Sequence, residues 1–264
     1  MHKMRIRENG LAVQAYAHQG DKLRQIAVVF PGLPYVPGLQ ECGRFLFSLG
    51  FDVVQPQYTG TYDSDGVFSP RTAIQTVDRL RDLLSRPFVM NHRGQTKIAI
   101  ESDIEFAAAH SFGTWVLANA FVTGFRPGVL LLLSPYLGVG ADLPKAGSRM
   151  DLSRQADHLR DALPFTFRLS SYEDWKSFYT DGKFAFCELG HDGRSHVIGA
   201  TGEDDPGLDP ERTGDRFRWF VQEYHEGVSD SQFFIVPSAG HDEADLLVEP
   251  VLDAIRQNSF HSFR

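Results

Sequence analysis

The stretch DIEFAAAHSFGTWVLANAF, Asp103 to Phe121, constrains the fold more than any other part of the chain. Its first half reads as a buried strand and its second as an apolar helix, with a sharp bend between them at Ser111. Ala109, His110, Phe112 and Gly113 flank that bend and give A-x-S-x-G, one methyl away from the G-x-S-x-G nucleophile elbow. A strand that turns straight into a helix forces the central residue into a strained backbone conformation, and bulky neighbours two positions away would collide. The strain lifts the serine hydroxyl above the sheet. It also aims the first free N–H groups of the helix at the place where an oxyanion would form. Taken alone, such a junction serves packing as well as chemistry, so the rest of the chain has to decide.

The length, 264 residues, suits one large core, and a single domain is expected. A net charge of −8, with no concentrated basic run, argues against nucleic acid as a partner. Cys42 and Cys187 fit no metal or redox spacing and read as reduced thiols. The first residues are broken by charge, without the apolar core of a signal peptide, and no segment approaches the length of a membrane span. A cytoplasmic protein with no membrane span is the expectation.

Along the chain, residues 4–17 read as two short antiparallel strands joined at Asn9-Gly10. QIAVVF, Gln25 to Phe30, is a strand covered on both faces that stops at Pro31-Gly32-Leu33-Pro34. Leu39, Cys42, Leu46 and Leu49 have helical spacing, and FDVVQ, Phe51 to Gln55, is the next strand. A loop follows from Tyr58 to Ser69. Then Thr72 to Leu84 is an amphipathic helix, with Ile74, Val77, Leu80 and Leu84 inward and Arg79, Arg81 and Asp82 outward. Residues 86–102 read as loop with one short strand near Lys97. Gly128 to Leu133 is a buried strand. Residues 138–186 lose the strand pattern and become helical and aromatic, as a small cap would. Strands at His196 to Thr201 and Phe233 to Val236 enclose a helix near Arg212 to Tyr224, and one last helix spans Glu243 to Gln257. Strands alternating with helices predict a mostly parallel α/β sheet flanked by helices.

A serine nucleophile needs a base to take its proton and an acid to orient that base. Parallel sheets gather such groups past the carboxyl ends of their strands. Past the strand at His196 comes Gly202-Glu203-Asp204-Asp205, and past the strand at Phe233 comes Gly240-His241. Four motifs thus fall in order: the Gly32 turn, the elbow, the G-x-x-D segment and the G-H segment. In these residues, from about Gln25 to Gln257, the chain resembles the α/β-hydrolase-fold serine hydrolases.

The resemblance implies Ser111 as nucleophile, His241 as general base and Asp205 as the group that orients it. It also implies an oxyanion hole from the backbone N–H groups of Leu33 and Phe112. Three departures stand out: Pro31 where a histidine often precedes the glycine, Ala109 for glycine, and adjacent Asp204 and Asp205, of which Asp205 matches the family spacing. Some members place the acid after the preceding strand, but Ser134-Pro135-Tyr136 there offers no carboxylate. His191 falls before its strand, and His110 reads as packing, turned away from His241. Asp63 and Asp65 read as turn formers, not metal ligands. The implied activity is hydrolysis of a small to medium carboxylic ester through an acyl-serine, with no cofactor or metal and a small-molecule substrate. A thioesterase, an amide or small-peptide hydrolase, or a non-catalytic binding protein on the same fold are the alternatives.

Overall fold

The apolar runs become strands because they are covered on both sides. The computed structural model describes residues 1–19, 24–86, 88–90, 97–99, 104–138, 153–180, 195–224 and 231–259. Its strands are β1 (His2–Glu8), β2 (Leu11–Ala17), β3 (Ile26–Phe30), β4 (Asp52–Pro56), β5 (Phe88–Met90), β6 (Lys97–Ala99), β7 (Ile104–His110), β8 (Val129–Leu133), β9 (His196–Gly202) and β10 (Gln232–Val236). Its helices are α1 (Glu41–Ser48), α2 (Pro70–Leu84), α3 (Phe112–Val122), α4 (Ser153–Ala162), α5 (Tyr172–Thr180), α6 (Pro210–Tyr224), α7 (Glu243–Leu246) and α8 (Glu249–Ser259).

Eight strands form one sheet in the order β1-β2-β4-β3-β7-β8-β9-β10. From β4 to β10 every neighbouring pair is parallel, and only β2, antiparallel to both β1 and β4, runs against the rest. All five residues of β3, β4 and β8 are buried, as expected of strands with helices on both faces. One core, with Trp115, Phe121, Phe220 and Leu132, lies between the sheet and α2, α3 and α6. The opposite core, with Phe51, Phe106, Leu131 and Ile255, lies under α1 and α8. α3 is buried along its whole length, which its unbroken apolar sequence requires.

Several local readings need correction. The expected last helix is two, α7 and α8, with Leu247 and Val248 between them. Pro250, in the first turn of α8, has no N–H to carry a continuous helix across that point. Arg79 does not turn outward. It donates to Thr59 Oγ1 at 2.9 Å and to the Asn9 carbonyl, tying α2 to the first hairpin. The short strand at Lys97 has an antiparallel partner in β5. α2 begins earlier than its apolar spacing showed, because Ser69, just before Pro70, and Thr72 in the first turn form a reciprocal cap. Asp63 and Asp65, read as turn formers, in addition pair with Arg5 and Arg7 at 2.6 and 2.7 Å, which leaves that reading standing. Asp103, Cys187, His191, Asp192 and residues 139–152 and 181–186 lie outside the described residues. Among the described residues no helix is long and apolar enough to cross a membrane.

Candidate active site

The elbow is built from a close approach. Ser111 sits between β7 and α3 with φ 50° and ψ −120°, a left-handed backbone that costs a non-glycine residue energy and persists only where surroundings hold it. Those surroundings are specific. Ser111 N–H donates to the Leu133 carbonyl at 2.9 Å, and its own carbonyl accepts from Thr114 Oγ1 at 2.5 Å. Gly113 cannot be larger, since a Cβ there would lie 2.4 Å from the Phe30 carbonyl oxygen and 2.7 Å from that of Pro31. The small residue of the motif therefore lets α3 dock against the end of β3. The same contact brings the Gly32–Leu33 turn beside Ser111, and Tyr58 Oη fixes that turn by donating to the Pro31 carbonyl at 2.7 Å.

A second close approach assembles the acid and the base. Gly202, at the end of β9, has no room for a side chain because the carbonyls of Ala239 and Gly240 would lie 2.3 and 2.2 Å from its Cβ. The loops after β9 and β10 consequently run side by side, joined by Glu203 N–H to the Val236 carbonyl and Asp204 N–H to the Ala239 carbonyl, both at 2.9 Å. Asp204 is exposed and Asp205 fully buried. His241 Nδ1 lies 2.7 Å from Asp205 Oδ2, and His241 Nε2 lies 2.9 Å from Ser111 Oγ. The structure brings Ser111, His241 and Asp205 into one hydrogen-bonded row, and Asp204 has no place in it.

Asp205 is held from four directions. Besides His241, Oδ2 accepts from Ser134 Oγ at 3.2 Å, while Oδ1 accepts from the N–H groups of Gly207 and Leu208 at 2.8 and 2.9 Å. Burial pushes its carboxyl up, but the His241 bond and charge and the two N–H donors outweigh that and hold it below the ordinary carboxylate value. A buried, ionised carboxylate with every lone pair engaged is a fixed acceptor for one tautomer of the imidazole, the form with hydrogen on Nδ1.

Three residues here had no clear sequence signal. Ser134, in the slot where a carboxylate was sought, supplies a hydroxyl to that carboxylate instead. His110 does not turn away from His241: its Nε2 lies 2.7 Å from the His241 carbonyl oxygen. Burial and the His241 charge lower its pKa to about 4, so at neutral pH it is an uncharged donor to that carbonyl. Glu243, two residues past His241, is buried and accepts from Cys42 N–H at 3.0 Å in the first turn of α1. That contact anchors the far side of the His241 loop.

Two cavities meet at Ser111. A cavity of about 570 Å³ opens between the residues 32–36 turn, the start of α1 and the His241 loop, with Glu41, Asp242 and Glu243 on its wall. A smaller one of about 80 Å³ lies toward the insert between β8 and β9, lined by Phe112, Tyr136, Phe178 and Tyr179. Leu33 borders both, and the Leu33–Pro34 bond is cis. Among the described residues no group of His, Cys, Asp and Glu is placed to hold a metal ion.

No protein-family model matches the chain, and no curated protein sequence does. Solved structures match over nearly its whole length. DcsB, in complex with its substrate analogue, is 17% identical with a TM-score of 0.63, covering 98% of this chain and 99% of that one. An esterase from Thermogutta terrifontis is 16% identical (TM-score 0.56), covering 97% of each chain. A monoacylglycerol lipase from Paleococcus ferrophilus is also 16% identical (TM-score 0.56), covering 95% of this chain and 99% of that one. The chain has the α/β-hydrolase fold.

Proposed function

We propose that this α/β-hydrolase-fold chain is a serine hydrolase that cleaves a small to medium carboxylic ester through an acyl-Ser111 intermediate. The observation that carries the reading is the unbroken row from Ser111 Oγ through His241 to buried Asp205, at 2.9 and 2.7 Å, opening on a cavity. In this reading Ser111 Oγ attacks the ester carbonyl carbon while His241 Nε2 takes the hydroxyl proton. The carbonyl oxygen gains the charge and is met by the backbone N–H groups of Leu33 and Phe112, each worth about a hundred- to a thousand-fold in rate. The carbon–oxygen bond to the alcohol then breaks, and His241 returns its proton to the departing alkoxide. Water, deprotonated by His241, attacks the acyl-serine carbonyl and releases the acid and free Ser111. Asp205 stays ionised throughout and stabilises the imidazolium. No step needs a metal or cofactor.

The insert of residues 138–186 acts as a cap in this reading. Its described part rests on the elbow through rings: Trp175 and Phe178 lie 5.6 and 5.5 Å from the Phe112 ring. A dry wall beside the reacting carbonyl strengthens the charges that act on it. Cytoplasmic location, expected from the sequence, is part of the same proposal.

Intact mass after incubation with a fluorophosphonate tests it. A single adduct on the wild type and none on Ser111→Ala is the expected result, followed by turnover of an ester panel ahead of thioesters and amides. A folded wild type that forms no adduct overturns the reading.

A further inference from the structure

The loop that carries the general base is fastened at both ends and barely in the middle. Before His241, the Ala239 carbonyl accepts from Asp204 N–H at 2.9 Å. After it, the Glu243 carboxylate accepts from Cys42 N–H at 3.0 Å. Between those points the His241 backbone lies in neither helix nor strand. Among the described residues one hydrogen bond reaches it, from His110 Nε2 to its carbonyl oxygen at 2.7 Å. The donor is itself well held. His110 ends β7 in register with Leu133 of β8, one residue before the nucleophile, so the base is tied to the strand that delivers the serine.

The same ring meets the Gly32 turn. A Cβ on Gly32 would lie 3.1 Å from His110 Nδ1 and 3.0 Å from Ser111 Cβ. One imidazole thus stands between the turn that carries Leu33 and the loop that carries His241, its centroid 5.1 Å from that of the His241 ring. It is not placed to take the Ser111 proton. Ser111 Oγ is met by His241 Nε2 at 2.9 Å, while His110 Nε2 is committed to a carbonyl. Filling the space would ask only for a ring; a donor is needed because the His241 carbonyl otherwise has no protein partner.

Resting on the serine-hydrolase reading above, we propose that His110 is a positioning residue for the general base: its Nε2–H holds the His241 carbonyl, and through it the imidazole in line between Asp205 and Ser111. The His241 side chain is 22% exposed, and the larger cavity opens beside it. Without the His110 donor the carbonyl turns its peptide plane to find water, and the attached Cα and ring move with it. A displacement of about 1 Å at reacting groups costs about a hundredfold in rate. Ester binding uses other walls, so the effect falls on kcat and not on KM.

Two substitutions separate the donor from the ring. His110→Phe keeps a ring and loses the donor; His110→Gln loses the ring and keeps an uncharged N–H at similar reach. On a short ester, His110→Phe should lower kcat about ten- to a hundredfold with KM within about threefold, and His110→Gln should stay within about threefold of wild type in both. The far-downfield proton of the His241–Asp205 hydrogen bond should persist in the glutamine variant and shift or broaden in the phenylalanine one. A folded His110→Phe within about fivefold of wild-type kcat overturns the assignment, because a ring alone then suffices. A folded His110→Gln closer in kcat to the phenylalanine variant than to wild type also overturns it, because the donor is then not what matters. Imidazole nitrogen NMR on the wild type decides the matter whether or not the variants fold. At pH 7 His110 should be uncharged with its hydrogen on Nε2, and hydrogen on Nδ1 would leave the His241 carbonyl without its donor and overturn the assignment. A wild type that takes the fluorophosphonate and cleaves esters keeps the hydrolase reading in each of these cases. If it does neither, that reading falls and the assignment with it.

Discussion

The two sides of Ser111 are held by different physics. Toward His241 everything is directional: the four contacts on Asp205, the His110 bond to the His241 carbonyl, and Glu243 against the start of α1. Toward the insert almost everything is ring packing, with Trp115, Trp175 and Phe178 gathered around Phe112 and Phe68 packed on Trp175 at 4.5 Å. Directional bonds fix an angle to within what a proton transfer tolerates, yet each adds little net stability. Ring packing contributes much more stability per residue and far less angular precision. The polar side should therefore fail first in rate, and the aromatic side first in stability.

The largest expected effect sharpens that contrast. Asp205→Asn keeps the shape but offers an NH₂ where His241 needs an acceptor, and kcat should fall about 10⁴-fold with a much smaller change in urea midpoint than a ring deletion gives. Asp204→Asn, on the exposed neighbour, should change kcat less than twofold. Equal losses from the two would break the directional account. On the aromatic side Trp175→Ala should cost about 3–5 kcal/mol in urea unfolding, because the fully buried indole leaves a hole and its Nε1–H contact to the Phe68 carbonyl at 3.0 Å is lost. Its kcat on a short ester, measured where the variant is folded, should fall far less than that of Asp205→Asn.

Two smaller effects probe the polar side. Burial raises Glu243 from 4.5 to about 6, against the pull of the Cys42 and Glu41 N–H groups. The folded state therefore holds this proton more tightly than the unfolded chain, and its contribution to stability declines as pH rises between those values, by roughly 2 kcal/mol. His110, lowered from 6.5 to about 4 by burial and the His241 charge, runs the other way: stability present above 6.5 is lost as pH falls. The two slopes oppose each other, so the measurement is the difference in unfolding free energy between wild type and Glu243→Gln across pH 4 to 7. It should tilt in favour of the variant as pH rises, and a flat difference would remove Glu243 from the account. The second is Ser134→Ala, with kcat lowered about tenfold or less, in keeping with one hydrogen bond among four on Asp205.

Much of this was legible in the residues. Runs such as IAVVF and VLLLL have no alternation and are too short for helices, so they read as strands covered twice. The elbow, Asp205 and His241 each lie past the end of a strand, the last past the edge strand β10. The choice between Asp204 and Asp205 was not legible from local pattern, because both are acidic and one residue apart. It is made by Gly202, whose contact with the β10 loop decides which side chain turns inward. His110 and Glu243 were hidden for a related reason. Each meets a backbone group, 131 and 201 residues away in sequence, and a backbone group carries no letter of its own. Arg79 read as outward partly for the same cause, since one of its two partners is the carbonyl of Asn9. The break between α7 and α8 could have been seen in Pro250, had the apolar spacing not run through it.

The ring cluster around Phe112 also makes the protein its own light meter. Of the three tryptophans, Trp115 and Trp175 lie 4.8 and 5.8 Å from Phe178, a wall of the small cavity, while Trp219 sits half-buried on α6. Two buried indoles thus stand one ring removed from Ser111. A molecule entering that cavity displaces or polarises their surroundings, so unlabelled wild-type protein should report occupancy in a fluorimeter, on the timescale of the binding event, before any bond is made.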